Sequence, residues 1–384
     1  MPVERIDTLV IGGGQAGLAM SYRLKQRGLA HLVLERRRIA ERWRSERWDG
    51  LKFQFPNWSV RLPDFPYPHA DPDGFATSGD ILAYINAYAD FVAPPIRCGV
   101  AVTRLRCCDG ASGLVAETSD GTIEASNVVV ATGPYQRPAI PALLDDGSGI
   151  FQVHASQYQN PDQLPPGAVL VVGAGASGAQ IAEELLRAGR RVYLSLGAHT
   201  RLPRRYRGRD LIWWLSAIGI DQTTVEARGP SRLLPVITGA YGGHTIDFRR
   251  FAADGVTLLG RLTAADDGTI ISRPISRPVS PAAMPSTPAS STSWMRMSNS
   301  TGWISPTIPR PARCCPTHAA SANRCGGLTF AAVASIRSSR PRVMLLISAG
   351  STFRSWIRAA NPVMSTASPT SRAYISSACN GCRK

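Results

Sequence analysis

The sequence has no aspartate or glutamate in its last 114 residues, although 27 acidic residues lie in the first 270. Residues 1–270 also carry 29 lysines and arginines and are close to neutral, whereas residues 271–384 carry 13 arginines, one lysine and 22 serines. The net charge of +16 therefore comes mainly from this acid-free segment. A basic tail can bind nucleic acid, but these arginines are scattered and lysine is nearly absent, so no nucleic-acid partner is expected.

Long apolar runs are missing as well. The run "VMLLI" at 343–347 is far shorter than the roughly 20 residues that a membrane span requires. The charged start "MPVERIDTLVIGGG" leads into a strand pattern without the apolar core and small-residue cleavage site of a signal peptide. No membrane contact is therefore expected, and a cytoplasmic location is the default prediction.

The cysteines and histidines do not form the motifs of several enzyme classes. Cys98, Cys107 and Cys108 precede the acid-free segment and show neither metal-ligand spacing nor a disulfide framework, so no metal is expected. A C-x-x-C pair occurs at Cys379 and Cys382, but it lies in the acid-free segment without a strand–helix context and is interpreted as chance. Neither G-x-S-x-G nor H-E-x-x-H occurs, and the six histidines are scattered, which disfavours hydrolases built on these motifs.

A glycine-rich turn lies near the start of the chain, in "DTLVIGGGQAGLAMSYRLKQRGLAHLVLE". An apolar strand pattern leads to Gly12, Gly14 and Gly17, a helical pattern follows, and a second strand pattern ends at Glu35. Such glycines permit a tight turn, close approach to a pyrophosphate and close helix–strand packing, and a terminal acid accepts hydrogen bonds from a ribose. The combination predicts a dinucleotide-binding site, whose alternative is an ordinary glycine turn.

The pattern repeats in "AVLVVGAGASGAQIAEELLRAGRRVYLSLG". Gly173, Gly175 and Gly178 stand in the same three positions, but the second strand ends at Ser195 rather than at an acid. A helix that begins at such a turn directs its N-terminal dipole at a phosphate. A second dinucleotide site is therefore predicted.

The arginine-rich segment "RLPRRYRG" follows this second site. A missing carboxylate with arginines nearby favours a 2′-phosphate, and hence NADPH over NADH. Two dinucleotide sites imply electron flow between two cofactors, so FAD is expected at the first site and NADPH at the second. The alternative for the arginines is a solvated surface run. The residues concerned are Arg201, Arg204 and Arg205.

Between the two sites, "VVVATGPYQRP" predicts a strand that ends at Val130. The small residues after it, Thr132 and Gly133, would let the chain pass close to the flavin. Many buried strands end in Thr-Gly, so the motif alone is weak.

Seven segments together resemble the flavin-containing and Baeyer–Villiger class of flavoprotein monooxygenases, and most closely a bacterial branch of it. They are "VIGGGQAG", "RWRSERWDGL", "LPDFPYP", "VVVATG", "VHASQY", "VLVVGAGASGAQIAEEL" and "LPRRYRGRD". They span residues 7 to about 210 in the order of the family. The resemblance implies FAD at the first glycine turn, NADPH at the second, and Arg44 on the flavin side of the pocket.

The family's fingerprint, F-x-G-x-x-x-H followed by x-x-x and an aromatic residue, is matched in part. His154 and Tyr158 match its second half, whereas Ser148 and Ile150 occupy the Phe and Gly positions. The resemblance implies a catalytic role for His154, and the alternative is a structural histidine. It also implies that NADPH reduces FAD and that the reduced flavin uses O₂ to oxygenate a nitrogen, sulfur or carbonyl group of a small substrate.

The expected architecture is α/β with two Rossmann-like domains, an FAD domain (1–145) interrupted by an NADPH domain (146–270). In the family, the chain returns to the FAD domain through a second Ala-Thr-Gly strand and a segment like "PGLYF-GL". Residues 271–384 contain neither, and no regular fold is expected there. In another reading frame, however, the codons of 334–343 can encode "VDSVVAATG" and those of 368–384 can encode "PDVPGVYFVGLQWLQK".

The hypothesis is that a single-base deletion near codon 271 has put the acid-free segment out of frame. Two other functional interpretations remain open. One is an NADPH-dependent flavin or disulfide oxidoreductase without oxygen insertion, and the other is a defective, non-enzymatic product.

Overall fold

The fold was analysed in a computed structural model. The structure describes residues 3–108, 113–135, 137–141, 151–197, 199, 201–219, 236–266, 269–273, 275 and 344–347. The strands are β1 (Glu4–Ile11), β2 (His31–Glu35), β3 (Arg61–Leu62), β4 (Phe65–Pro66), β5 (Ile96–Cys98), β6 (Val102–Cys107), β7 (Leu114–Thr118), β8 (Gly121–Val130), β9 (Gln152–His154), β10 (Val169–Val172), β11 (Val192–Ser195), β12 (Arg205–Tyr206), β13 (Arg209–Asp210), β14 (Thr257–Leu259), β15 (Leu262–Asp266), β16 (Thr269–Ser272) and β17 (Met344–Ile347).

The helices connect these strands in the α/β manner. They are α1 (Gln15–Gln26), α2 (Glu41–Ser45), α3 (Ser78–Val92), α4 (Ala176–Arg187), α5 (Leu211–Ala217) and α6 (Phe248–Ala253), with 3₁₀ turns at Asn57–Ser59, Pro161–Gln163 and Ala240–Gly242. None of the helices among the described residues is long and apolar enough to cross a membrane.

The first sheet has the strand order β5-β2-β1-β8-β7-β6. Strand β1 is parallel to both β2 and β8, so it is a central strand, and Leu9 and Val10 are fully buried. Continuous apolar sequence is typical of parallel strands that are covered on both faces. Strands β6, β7 and β8 form an antiparallel extension. The glycine turn after β1 therefore lies at the carboxyl end of the parallel strands.

The second sheet is parallel throughout, with the order β14-β11-β10-β17-β9. Val169, Leu170 and Val171 of β10 are fully buried. Helix α4 follows the second glycine turn and packs on β10 and β11 through Ile181 and Leu185, which lie one turn apart on its buried face. Two α/β units, each built around a strand, a glycine turn and a helix, confirm the predicted fold class.

The acid-free segment contributes strand structure at two described places, the last two residues of β16 and the whole of β17. Strand β17 pairs with β10 on one side and with β9 on the other, which makes it a central strand of the second sheet. Its apolar sequence suits a parallel strand with two covered faces. Residues 344–347 thus form a strand within a segment for which no regular fold was predicted. The predicted domain boundary at 145, the C-x-x-C pair and most of the acid-free segment lie outside the described residues.

Candidate functional site

A cavity of about 480 Å³ lies at the carboxyl ends of strands from both sheets. Its walls come from the first glycine turn, the segment around α2, the Ala-Thr-Gly loop, the end of β9 and the start of α4. The sequence-predicted residues that line it are Gly12, Gly14, Glu35, Thr132, Gly133, His154 and Gly175. Residues far apart in sequence, from both predicted cofactor sites, thus meet in one place.

The first glycine turn is too crowded for side chains at two of its three positions. Gly12 has a φ of +116°, and a Cβ built on it would lie 2.6 Å from the backbone O of Ala131. A Cβ on Gly17 would lie 1.8 Å from the backbone O of Gly12. A Cβ on Gly14, by contrast, would have no atom within 4 Å. The turn is packed tightly behind Gly12 and Gly17 and leaves open space in front of Gly14, as a bound pyrophosphate would require.

Glu35 lies at the end of β2 beside this turn. Its Oε2 accepts a hydrogen bond from the backbone N of Gly13 at 2.7 Å, and its Oε1 accepts one from the backbone N of Arg37 at 2.9 Å. These bonds hold the carboxylate at the edge of the cavity. Its remaining lone pairs are available to ribose hydroxyls.

The Ala-Thr-Gly loop passes directly over the first turn. The backbone N of Ala131 donates to the O of Ile11 at 2.8 Å, and Thr132 and Gly133 both line the cavity. Small residues at these positions allow this close passage, and contact of the loop with a flavin stays a prediction.

The second glycine turn has the same construction. Gly173 has a φ of +95°, and its backbone N donates to the O of Ser195 at 3.1 Å. Gly175 precedes the first residue of α4 and lines the cavity with Ala176 and Ser177, while Gly178 is buried within the helix. The N-terminus of α4 therefore opens into the same cavity as the first turn.

Arg44 does not lie where the resemblance implied. It is exposed and is not part of the cavity wall, whereas Arg42, Trp43, Glu46 and Arg47 are. Arg44 lies within α2, which ends at Ser45, whereas Arg47 follows the helix. Helical spacing therefore does not distinguish the two arginines, and the path of the chain after α2 brings Arg47 to the cavity.

Arg47 brings a positive charge to the cavity wall. Its guanidinium stacks on Trp43 at 4.9 Å, and its Nη1 donates to the backbone O of Glu46 at 2.8 Å. Burial, together with the nearby charge of Arg42, lowers the pKa of Arg47 to about 10. The Glu46 carboxylate is already bound by Nε of Arg42 at 2.5 Å. Arg47 thus stays charged near neutral pH.

His154 lies at the end of β9, lines the cavity and is 6% exposed. The backbone N of Ser156 donates to its Nδ1 at 3.2 Å, which places the proton of the neutral ring on Nε2. Nε2 has no hydrogen-bond partner among the described residues. Burial, followed by the charge of Arg42, lowers the pKa of His154. The ring is therefore a neutral N–H donor at neutral pH.

Tyr158, the other residue of the partial fingerprint, stabilises the fold and does not line the cavity. It is fully buried, and its hydroxyl donates to Oε2 of Glu184 on α4 at 2.8 Å. Its backbone N donates to the O of His154 at 3.1 Å, which fixes the turn after β9. Ser148 and Ile150 lie outside the described residues.

The three predicted NADPH arginines do not form a cluster. Arg204 is 2% exposed, and its Nε donates to Oδ2 of Asp210 at 2.9 Å while its Nη1 donates to the O of Gln54 at 2.8 Å. Arg201 pairs with Asp247 at 3.1 Å, and Arg205 is exposed. The assignment of Arg204 to a 2′-phosphate therefore does not fit the structure. Its charge is paired with Asp210 in the protein interior. An arginine-rich sequence alone does not show which of its arginines is buried.

Arg204→Met is expected to lower the free energy of unfolding by about 3 kcal/mol, because it leaves the Asp210 carboxylate buried without its partner. Arg205→Met, at the exposed neighbouring position, is expected to change it by less than about 0.5 kcal/mol. Urea unfolding of the two variants measures the difference. Equal stability of both, with weaker nucleotide binding in the Arg204 variant alone, would restore the original assignment.

Comparison with known proteins places this geometry in a family. A profile of the pyridine nucleotide-disulphide oxidoreductase family matches residues 9–217. An uncharacterized CzcO-like oxidoreductase of Geobacillus kaustophilus is 41% identical over 218 residues, which are 56% of this chain and 61% of that protein. The indole-3-pyruvate monooxygenase YUCCA4 of Oryza sativa is 32% identical over 258 residues, with 58% and 57% covered. The chain thus spans about three fifths of the length of these relatives.

A solved structure shares the fold at low identity. The bacillithiol disulfide reductase Bdr of Bacillus cereus superposes with a TM-score of 0.51 at 18% identity, over 70% of this chain and 72% of that one. Because the family profile covers more than half of the sequence and the two glycine turns have the geometry that dinucleotides require, the chain belongs to the pyridine nucleotide-disulphide oxidoreductase family.

Proposed function

We propose that this protein is an NADPH-dependent FAD monooxygenase that inserts one oxygen atom of O₂ into a small organic substrate. The observation that carries the proposal is the convergence of both glycine turns on one cavity, with Gly12 and Gly14 from the first and Gly175 from the second. A flavin on the first turn and a nicotinamide on the second would meet there. The named monooxygenases among the relatives support the same reaction class.

The residues of the first turn fit a flavin dinucleotide. The space in front of Gly14, the N-terminus of α1 and the Glu35 carboxylate provide room, a favourable dipole and a ribose acceptor. Bound FAD would supply the hydride acceptance and the oxygen chemistry, which side chains do not provide.

The protein's own residues would bind and orient the cofactors and the substrate, and they would exclude water. The rings of Trp43, Trp48 and Phe53 line the cavity and limit the access of water. Arg47 presents a positive charge there, and Nε2–H of His154 is buried at the cavity wall without a hydrogen-bond partner among the described residues. We assign His154 the role of a donor to the reacting groups, in keeping with its lowered pKa.

A reductase that passes electrons to a disulfide is the second candidate function, and the solved neighbour named as a disulfide reductase is the reason to consider it. Such a reaction needs a cysteine pair at the flavin. No cysteine of the described residues lines the cavity. Cys98 is exposed on β5, and Cys107 and Cys108 lie at the end of β6. This arrangement favours oxygen insertion.

The test is an oxygen-electrode assay of the purified, FAD-loaded protein with NADPH. We expect NADPH oxidation to consume O₂ and a panel of nitrogen, sulfur and carbonyl compounds to include one that raises the rate. Mass spectrometry with isotopically labelled dioxygen should then find one labelled atom in that product. Substrate-independent NADPH oxidation that instead reduces disulfides would favour the second candidate.

A further inference from the structure

We propose that Arg261 binds the 2′-phosphate of NADPH and sets the preference for NADPH over NADH. The inference rests on the proposed function, because it concerns the nicotinamide cofactor of the second glycine turn. The phosphate-binding role predicted for Arg204, which is buried in an ion pair, is thereby assigned to Arg261. Arg261 lies 66 positions after the end of β11 in the sequence. Three features of the structure lead to it.

The first feature is the end of β11, where an NADH-binding protein would place a carboxylate. Ser195 occupies this position, is buried, and donates from Oγ to the backbone O of Gly260 at 3.0 Å. This hydrogen bond points the side chain away from a ribose toward the neighbouring strand. Because this position holds a serine and not an acid, it carries no negative charge that would repel a phosphate.

The second feature is the backbone that carries Arg261. Strand β14 is parallel to β11, with Leu259 beside Ser195, and the N of Leu196 donates to the O of Leu259 at 2.8 Å. The O of Arg261 accepts from the N of Arg273 at 2.9 Å. Hydrogen bonds on both sides therefore fix the chain that leads into and out of this position, next to the loop that follows β11.

The third feature is the side chain itself. Nη2 of Arg261 lies 3.9 Å from the position that a Cβ on Gly197 would occupy, two residues beyond Ser195. Arg261 is exposed, and no carboxylate of the described residues pairs with it. Arg201, another cation of the chain that follows β11, already pairs with Asp247. A planar guanidinium beside the strand end that has no acidic partner among the described residues suits a phosphate, which it can bind through two parallel hydrogen bonds.

The test uses the full chain and isothermal calorimetry with 2′,5′-ADP, 5′-ADP, NADP⁺ and NAD⁺. We expect the wild type to prefer the ligands that carry the 2′-phosphate, and Arg261→Ser to weaken 2′,5′-ADP and NADP⁺ roughly tenfold or more, as expected for a charge-assisted phosphate contact. Binding of 5′-ADP and NAD⁺ should change less than about twofold, because uncharged ribose makes no comparable contact. Arg261→Lys should retain part of the preference.

Arg250→Ser is the matched control, since Arg250 is an exposed arginine on α6 that pairs with Asp254. It should leave all four affinities unchanged. An unchanged NADP⁺ to NAD⁺ ratio in Arg261→Ser would overturn the inference while leaving the proposed function intact. A wild type that prefers NAD⁺ would overturn the inference together with the NADPH dependence of the proposed function. A wild type that binds none of the four ligands would overturn the proposed function as well.

Discussion

Gly17→Ala is expected to yield a protein that is purified without flavin and that unfolds at least about 3 kcal/mol more easily than the wild type. The new Cβ would lie 1.8 Å from the backbone O of Gly12 and 3.0 Å from its C, so the clash is with main chain rather than with a movable side chain. Helix α1 could accommodate the methyl group only by moving away from β1. That movement would also open the turn that is expected to hold the pyrophosphate.

Gly14→Ala is the matched control for this prediction. Gly14 has a φ of −90°, which alanine adopts without strain, and its Cβ would meet no atom within 4 Å. The variant should therefore fold within about 0.5 kcal/mol of the wild type. Its methyl group would still enter the space in front of the turn and weaken FAD binding.

Flavin absorbance of the purified proteins and thermal unfolding separate the two effects. The expected pattern is loss of both flavin and stability in Gly17→Ala, and loss of flavin alone in Gly14→Ala. Wild-type stability in Gly17→Ala would show that the close packing of α1 on the turn is not required.

The sequence was sufficient for features that depend on neighbouring residues. Both glycine turns, the strands that enter them and the helices that leave them follow from local spacing, since each role belongs to a residue within one strand–turn–helix unit. Thr132 and Gly133, which a short motif indicates as candidate site residues, also line the cavity.

Features that depend on the phase of a helix or on distant partners were not foreseen. Arg44 and Arg47 are three residues apart in one arginine-rich segment, and the end of α2 at Ser45 and the chain path beyond it decide which of them reaches the cavity. The position of Arg204 depends on Asp210 across a hairpin and on Gln54 in another part of the chain. Arg261 approaches Gly197 because β14 pairs with β11. Sequence order contains none of these contacts directly.

The acid-free segment leads to the last prediction, because the second sheet takes a central strand from it. Strand β17 lies between β10 and β9, so removal of this position would divide the sheet. We propose that the natural chain supplies the central strand of this sheet from the alternative frame of codons 334–343, just before β17, as "VDSVVAATG", and that the segment "PDVPGVYFVGLQWLQK" follows it. The β-branched residues of the first segment suit a parallel strand.

A chain restored to that frame from codon 271 is expected to retain close to one FAD after gel filtration, whereas the 384-residue chain retains a clearly smaller fraction. The restored chain would supply both a β-branched strand for the second sheet and the closing segment expected near the flavin. The acid-free segment supplies β17 but no such closing segment. Parallel purification and flavin absorbance measure the difference, and sequencing of codons 265–275 at the native locus shows whether a base is missing. Equal flavin content in the two proteins would mean that residues 1–270 together with a strand such as β17 suffice to hold the cofactor, and the acid-free segment would then have to be treated as a natural part of the fold.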